Sequence, residues 1–171
     1  MDNTISIING AAHYDPNDNW QLALDDEVIP EGINAVVSWV RWQQCASDRA
    51  RAKNYYGVVL APDDDPAILI NELAKIPLIA LQFPSFRDGR AYSQATVLRT
   101  RYHFQGDLRA VGDVLRDQLS LMRHCGFSSF KVREDKPVCD ALKGLEVFDK
   151  IYARSVTHPQ PRYRRSTTGD N

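Results

Sequence analysis

Residues 78–118 read LIALQFPSFRDGRAYSQATVLRTRYHFQGDLRAVGDVLRDQ, and this stretch decides the fold class. Leu78–Phe83 is the most apolar run of the chain and shows no alternation, which is typical of a strand covered on both faces. The following segment repeats apolar residues at helical spacing up to Gly106, and Leu108–Val111 is then a second short strand. A strand, a helix and a strand in succession predict a parallel pair joined by a crossover helix.

The same alternation extends in both directions along the chain. Three further strands are predicted at Ala35–Val40, Tyr56–Leu60 and Phe127–Val132, each followed by a helical segment. Asp65 and Pro66 predict one of these helix starts, because the aspartate accepts a bond from a free amide and proline loses no needed donor there.

Five strand-then-helix units predict an α/β domain with a mainly parallel sheet of about five strands and helices on both faces. Five units are too few to close an eight-stranded barrel, so a partial-barrel arrangement is the alternative. Ahead of them, Ile5–Ile8 and Trp20–Leu24 predict an N-terminal pair of short strands, with antiparallel pairing as one arrangement. Residues 1–152 are therefore expected to form a single domain, and the polar, proline-interrupted residues 153–171 a disordered tail.

Composition excludes several classes of protein. Of 171 residues, 43% are hydrophobic and 25% are charged, as in soluble globular domains. No apolar run approaches the ~20 residues that a membrane span needs, and the start is acidic rather than basic, so a cytoplasmic protein is expected. Three cysteines without close spacing predict no disulfide framework and no metal site, and the glycines match no nucleotide-binding motif. No cofactor is evident.

Charge is unevenly distributed, although the net charge of -1 argues against nucleic-acid binding. Residues 1–86 carry 5 Lys/Arg and 12 Asp/Glu, whereas residues 87–133 carry 9 and 4. Residues 134–171 carry 7 and 6. The basic excess falls on the central block, as a site for a small anion or an acidic partner requires.

The central block also contains two turns at which a ligand can bind. Ligands of parallel α/β proteins lie beyond the carboxyl ends of the strands, and here Pro84–Arg90 and Arg109–Asp113 lead from strands into helices. Free amides at a helix amino terminus, together with forked arginine donors, favour carboxylate, phosphate or sulfur oxyanions. No catalytic residue is assigned. The ligand-binding candidates are Arg87, Asp88, Gly89, Arg90, Ser93, Arg99, Arg109, Gly112 and Asp113.

An alternative explanation is that these arginines and aspartates pair with one another. Arg99 lies within a predicted helix, where a surface or ion-paired role is common. Arg109 lies in a short central strand and would be costly to bury without an anion or a carboxylate partner. Asp113 is the candidate for that partner, or is a helix cap.

Three motifs of the chain, FPSFRDGRAYSQATVLR, GDLRAVGDVLRDQ and RHCGFSSF, resemble the bacterial domain-of-unknown-function family 934. The likeness covers about Ala35 to Tyr152. Members of this family are often encoded beside assimilatory sulfite reductase, and some are labelled as oxidoreductases. The resemblance implies a role in reductive sulfur assimilation, but it brings no established activity and no catalytic residues.

The resemblance and the charge pattern together favour an accessory or regulatory factor of assimilatory sulfite or sulfate reduction. Such a factor would bind sulfite reductase subunits or a small oxyanion through the arginine-rich block. The alternative is a small oxidoreductase acting on such an anion. The sequence contains no flavin, nicotinamide, haem or cluster motif, which favours the first hypothesis.

Overall fold

One sheet of eight strands organises the computed structural model, which describes residues 3–23, 26–45, 54–135, 138–146 and 154–161. The strands are β1 Thr4–Ile8, β2 Ala11–Tyr14, β3 Trp20–Leu22, β4 Asn34–Ser38, β5 Tyr56–Leu60, β6 Leu78–Phe83, β7 Asp107–Gly112 and β8 Ser129–Lys131. The α-helices are α1 Trp39–Gln44, α2 Arg90–Thr100, α3 Leu119–His124 and α4 Val138–Glu146. Short 3₁₀ turns cover Pro66–Leu69, Leu73–Lys75 and Arg116–Gln118.

The strands lie in the order β2-β1-β8-β7-β6-β5-β4-β3. Strands β3 to β8 are consecutive and parallel, whereas β1 pairs antiparallel with both β2 and β8. When each parallel strand lies beside its successor, right-handed crossovers place every helix on the same face. One core indeed combines strand residues such as Val58 and Ile79 with Leu98 of α2 and Met122 of α3.

The prediction of about five strands with helices on both faces is therefore wrong. The sheet has eight strands and is curled into a half-barrel, so the partial-barrel alternative fits. The second core, built around Val36, Leu78 and Ala80, consists of strand residues and lies on the concave face, opposite the helices.

Chain connectivity explains why the sheet curls. Eight strands span seven spacings of about 4.8 Å, so the edge strands of a flat sheet would be about 34 Å apart. Tyr14, at the end of one edge strand, is joined to Trp20, at the start of the other, by six Cα steps. Six steps reach at most about 22 Å. The two edges must approach each other, and the linker between them, residues 15–19, lies on the concave side.

The N-terminal strands do not pair with each other as the sequence suggested. Strand β1 forms a hairpin with β2 through Asn9 and Gly10, whose φ angles of 51° and 80° suit a tight turn. Strand β3 lies at the opposite edge and pairs in parallel with β4.

The segment after Asp65 differs from the predicted helix. Asp65 does accept a hydrogen bond from the Ala67 amide at 2.9 Å, but two short 3₁₀ turns follow instead of an α-helix. Leu69 is buried, whereas Ile70 is 48% exposed. An isolated helix depends on burying its apolar face, and the described residues leave Ile70 of this face about half exposed.

Part of the predicted tail lies against α3. Val156 donates its amide to the His124 carbonyl at 3.0 Å, and Thr157 is bonded to the His124 ring at 2.8 Å. Residues 162–171 lie outside the described part of the chain, as do residues 147–153, which include the end of the helical segment predicted after Phe127–Val132. Among the described helices, none is long and apolar enough to cross a membrane.

Candidate functional site

The loops after β5, β6, β7 and β8 meet at one end of the sheet. These loops, residues 61–65, 84–89, 113–118 and 132–135, are called the carboxyl-end edge below. Parallel strands bring their carboxyl ends to the same side, so neighbouring strands place their loops side by side. The two turns singled out from the sequence were Pro84–Arg90 and Arg109–Asp113. Residues 109–112 of the second belong to β7, and its end, Gly112–Asp113, is a neighbour of Pro84–Arg90 because β6 pairs directly with β7.

Asp88 and Arg90 form one fixed unit at the start of α2. Asp88 accepts a bond from the Arg90 amide at 3.1 Å and caps the helix after Gly89. The Arg90 guanidinium returns to the same carboxylate, with Nε 3.0 Å from Oδ1, and also contacts Asp63. The side-chain bond from Arg90 is the main cause that lowers the pKa of Asp88 to about 2. Arg90 is therefore shared between two carboxylates.

Asp113 holds the loop after β6. Its Oδ2 accepts the Phe86 amide at 2.8 Å, and its own amide donates to the Phe83 carbonyl at 2.8 Å. Its Oδ1 accepts Nη1 of Arg133 at 2.8 Å, and this arginine is the main cause that lowers the pKa of Asp113. Gly112 has a φ of 96°, and a Cβ there would collide with the Phe83 carbonyl oxygen, so only glycine fits this turn.

The backbone of Phe86 is held by hydrogen bonds, whereas its side chain is exposed. Gln118 donates to the Phe86 carbonyl at 2.8 Å, so both backbone groups of Phe86 are bonded to side chains of the next loop. Its ring is nevertheless 47% exposed, and the Arg87 guanidinium lies 5.4 Å from the ring centroid. Within the described residues, Arg87 pairs with no carboxylate.

Arg109 lies away from this edge, buried on the concave face. Its Nη1 is 2.8 Å from the Asp18 carboxylate, and the two side chains are 4% and 2% exposed. Thr4 donates to the same carboxylate at 2.8 Å, and Ser129 accepts Nε of Arg109 at 3.0 Å. The predicted need for a counter-charge is met by Asp18 of the linker between β2 and β3 at 2.8 Å and by Asp107 of β7 at 3.4 Å, and not by Asp113.

Arg99 lies near the carboxyl end of α2, where it bonds to the backbone of the segments that lead into β7 and β8. It donates to the carbonyls of Phe104, Gly106 and Gly126 at 2.6, 2.9 and 2.9 Å. Burial is the main cause that lowers the pKa of Arg99. Three carbonyl partners define a structural role. The remaining candidate, Ser93, is exposed on α2.

The structure therefore disperses the arginine-rich block. Arg87 lies in the carboxyl-end edge, Arg90 next to it as the first residue of α2, Arg99 at the far end of α2 and Arg109 on the concave face. The charge of the edge is also opposite to the charge of the block, since its four loops contain eight Asp/Glu and three Arg, a net charge of -5. Charge counted along the sequence did not reveal the acidic edge, because the acidic loop after β5 lies outside the basic block of residues 87–133.

Sequence reasoning missed several residues of the edge. Gln94, 6% exposed on α2, donates to the carbonyls of Ala61 and Asp64 at 2.8 Å each and so fixes the loop after β5. Gln118 follows β7 and Arg133 follows β8. Their positions just after predicted strands could have marked them as candidate site residues. Among the described residues, no group of three or more His, Cys, Asp or Glu could hold a metal ion.

The fold defines the class of this protein as a singly wound α/β half-barrel. At its carboxyl-end edge, side-chain hydrogen bonds hold the loops together and an aromatic ring is exposed. A family model described as "Bacterial protein of unknown function (DUF934)" matches residues 57–163. The chain belongs to this family. Searches of curated proteins and of solved structures found no match.

Proposed function

We propose that this protein is an accessory factor of assimilatory sulfite reduction in the bacterial cytoplasm, and that it binds a partner protein through the carboxyl-end edge. The observation that carries the proposal is Phe86. Its amide and carbonyl are held by Asp113 and Gln118, yet half of its ring faces solvent beside Arg87. An apolar ring on a preorganised loop loses little conformational freedom when it is covered, and aromatic and arginine side chains dominate binding hot spots.

Charge indicates the kind of surface that fits this edge. The net charge of -5 on the four loops favours a partner whose contact surface is basic, since complementary potentials speed association and suppress wrong partners. The link to sulfur assimilation rests on the motif resemblance, and sulfite reductase subunits are the partners it implies.

Copurification tests the proposal. Tagged protein from the native bacterium is expected to enrich sulfite reductase subunits, and the double variant Phe86→Ala, Arg87→Ala is expected to lose them. Leu121→Ala is the matched control, because this residue is 53% exposed on α3, away from the carboxyl-end edge. Failure of the unmodified protein to enrich any reductase subunit, or equal enrichment by the double variant, would contradict the proposal.

A small oxyanion is a second candidate ligand for the same edge. Arg87 favours it, because its guanidinium is exposed and pairs with no carboxylate of the described residues. Arg90 and Arg133 are each shared between two carboxylates, which an oxyanion would have to displace. Thermal melting with sulfite, sulfate and phosphate tests this candidate: a saturable shift that Arg87→Ala removes supports it, and no shift rejects it.

An oxidoreductase is the alternative function from a different class. Its distinguishing property would be a bound or borrowed redox group, because the chemistry would come from the cofactor. An absorption spectrum of the copurified complex and of the protein alone separates the two functions. A chromophore that stays with the isolated protein would favour the enzyme over the accessory factor.

A further inference from the structure

A cavity lies at the opposite end of the sheet from the carboxyl-end edge. It measures about 780 Å³ and forms where α2 ends and the chain turns into β7, against the 3₁₀ turns that precede β6. Leu73, Ile76 and Phe104 contribute apolar surface to its lining. A cavity of this volume with apolar walls suits a small organic molecule.

The charged groups of the cavity have one sign. Arg101, Tyr102, His103 and Gln105 supply polar groups, and none of the ten lining residues is Asp or Glu. The Arg101 guanidinium lies 5.7 Å from the Tyr102 ring centroid and forms no ion pair with a carboxylate of the described residues. Arg101 therefore brings to this apolar cavity a positive charge that no carboxylate of the described residues pairs with.

His103 is held in an unfavourable backbone conformation at this cavity. Its φ of 54° is left-handed, at the position after a helix where glycine is usual. The conformation is maintained by two bonds that close α2, from Tyr102 N to Val97 O at 3.2 Å and from Phe104 N to Leu98 O at 2.9 Å. Gln105 adds a bond to the His103 carbonyl at 2.9 Å. A histidine here accepts strain that glycine would avoid, and His103 is one of the residues that line the cavity.

We propose that this cavity binds a small organic anion, a carboxylate carried on an apolar body. The apolar lining would bury the body of the ligand. Arg101 would provide a forked donor pair matched to the carboxylate, with the His103 imidazole as a second donor. The proposal is independent of partner docking, because the two sites lie at opposite ends of the strands.

Three probes with the same apolar body and different head groups test the proposal: 4-phenylbutyrate, 4-phenylbutanol and 4-phenylbutylamine. Titration calorimetry of the full chain is expected to give saturable binding of 4-phenylbutyrate and at least tenfold weaker binding of the alcohol and the amine. Equal affinity for all three, or no binding of the carboxylate at millimolar concentration, overturns the proposal.

Two variants assign the effect to the cavity. Arg101→Gln is expected to weaken 4-phenylbutyrate binding about tenfold or more, whereas Arg123→Gln, on α3 and outside the cavity lining, leaves it unchanged. His103→Gly removes the imidazole and relieves the backbone, so binding should weaken while the melting temperature stays equal or rises by up to about 4 °C. Unchanged binding in Arg101→Gln overturns the site, as does equal weakening by Arg123→Gln.

Discussion

Asp18 and Arg109 lie 91 positions apart in sequence and form a buried ion pair. Removing the charge of Asp18 leaves the buried Arg109 with the longer and partly exposed contact to Asp107, at 3.4 Å, as its carboxylate partner. We expect Asp18→Asn to lower the free energy of unfolding by about 3 kcal/mol, measured by urea denaturation. Asp63→Asn is the control, because its carboxylate is 88% exposed although it also contacts an arginine. The control should change stability by less than about 0.5 kcal/mol, and an equal loss in both variants would refute the buried role of Asp18.

The carboxylate of Asp88 gives a prediction about acid. Its folded-state pKa is about 2, below the ordinary 3.8, because Arg90 binds its charged form. A depressed pKa stabilises the fold above about pH 3.8, and this stabilisation is lost as the pH falls toward 2. Carboxyl NMR titration should therefore place the midpoint of Asp88 near 2, and Arg90→Gln should return it toward 3.8. An ordinary midpoint in the unmodified protein would rule out the Asp88 and Arg90 unit.

For individual residues, the sequence predicted that a buried charge requires a counter-charge, but it did not predict which residue supplies it. It indicated that Arg109 requires a counter-charge, because the residue lies in an apolar strand. It could not name Asp18, because that contact depends on where the linker between β2 and β3 crosses the sheet. Conversely, Asp88 and Arg90 are two residues apart, and their pairing is a local event.

Among the elements, α2 has the widest role at the carboxyl-end edge, since it anchors the loops after both β5 and β6. Gln94 is its contact with the first of these loops. Gln94→Ala leaves two carbonyls without their donor and should lower the free energy of unfolding by about 1–3 kcal/mol. Ser93→Ala, at the exposed neighbouring position, should stay within about 0.5 kcal/mol. Hydrogen exchange in residues 61–65 should rise in the first variant alone, and unchanged exchange there would contradict the anchoring role.

Element types followed from the sequence where burial and local pattern agreed. Leu78–Phe83 is a strand with the predicted bounds, because an unbroken apolar run is covered on both faces. The helix predicted after Asp65 did not form, because a cap and an apolar repeat stabilise a helix only when its apolar face is covered. Whether a neighbour covers that face is a tertiary property, which the pattern alone does not contain.

At the scale of the whole molecule, the order of the strands determines both the curl and the site. Sequential parallel strands place the helices on one face and leave the other face concave, and a linker of residues 15–19 brings the two edges together. The sequence predicted the strand-helix alternation and named the partial barrel as an alternative. It missed the β1–β2 hairpin, because a strand of four residues such as β2 carries a weak periodic signal. It predicted a strand at Trp20–Leu24 but paired it with Ile5–Ile8, because the parallel pairing of β3 with β4 depends on the path of the linker.

The same scale explains why charge counted along the chain was misleading. Residues 87–133 are basic as a block, but the fold sends their arginines to different surfaces and adds the acidic residues 63–65 to the carboxyl-end edge. The edge is consequently acidic. It also carries the exposed side chain of Phe86, whose backbone is hydrogen-bonded to Asp113 and Gln118. This combination is the basis for assigning partner binding to the edge.

The affinity of purified protein for sulfite reductase tests the central claim most directly. Phe86→Ala is expected to weaken binding by about thirtyfold, as loss of a hot spot of about 2 kcal/mol requires, while Leu121→Ala stays within about twofold of the unmodified protein. Equal affinities of Phe86→Ala and the unmodified protein, or no binding by the unmodified protein, would contradict docking through the carboxyl-end edge.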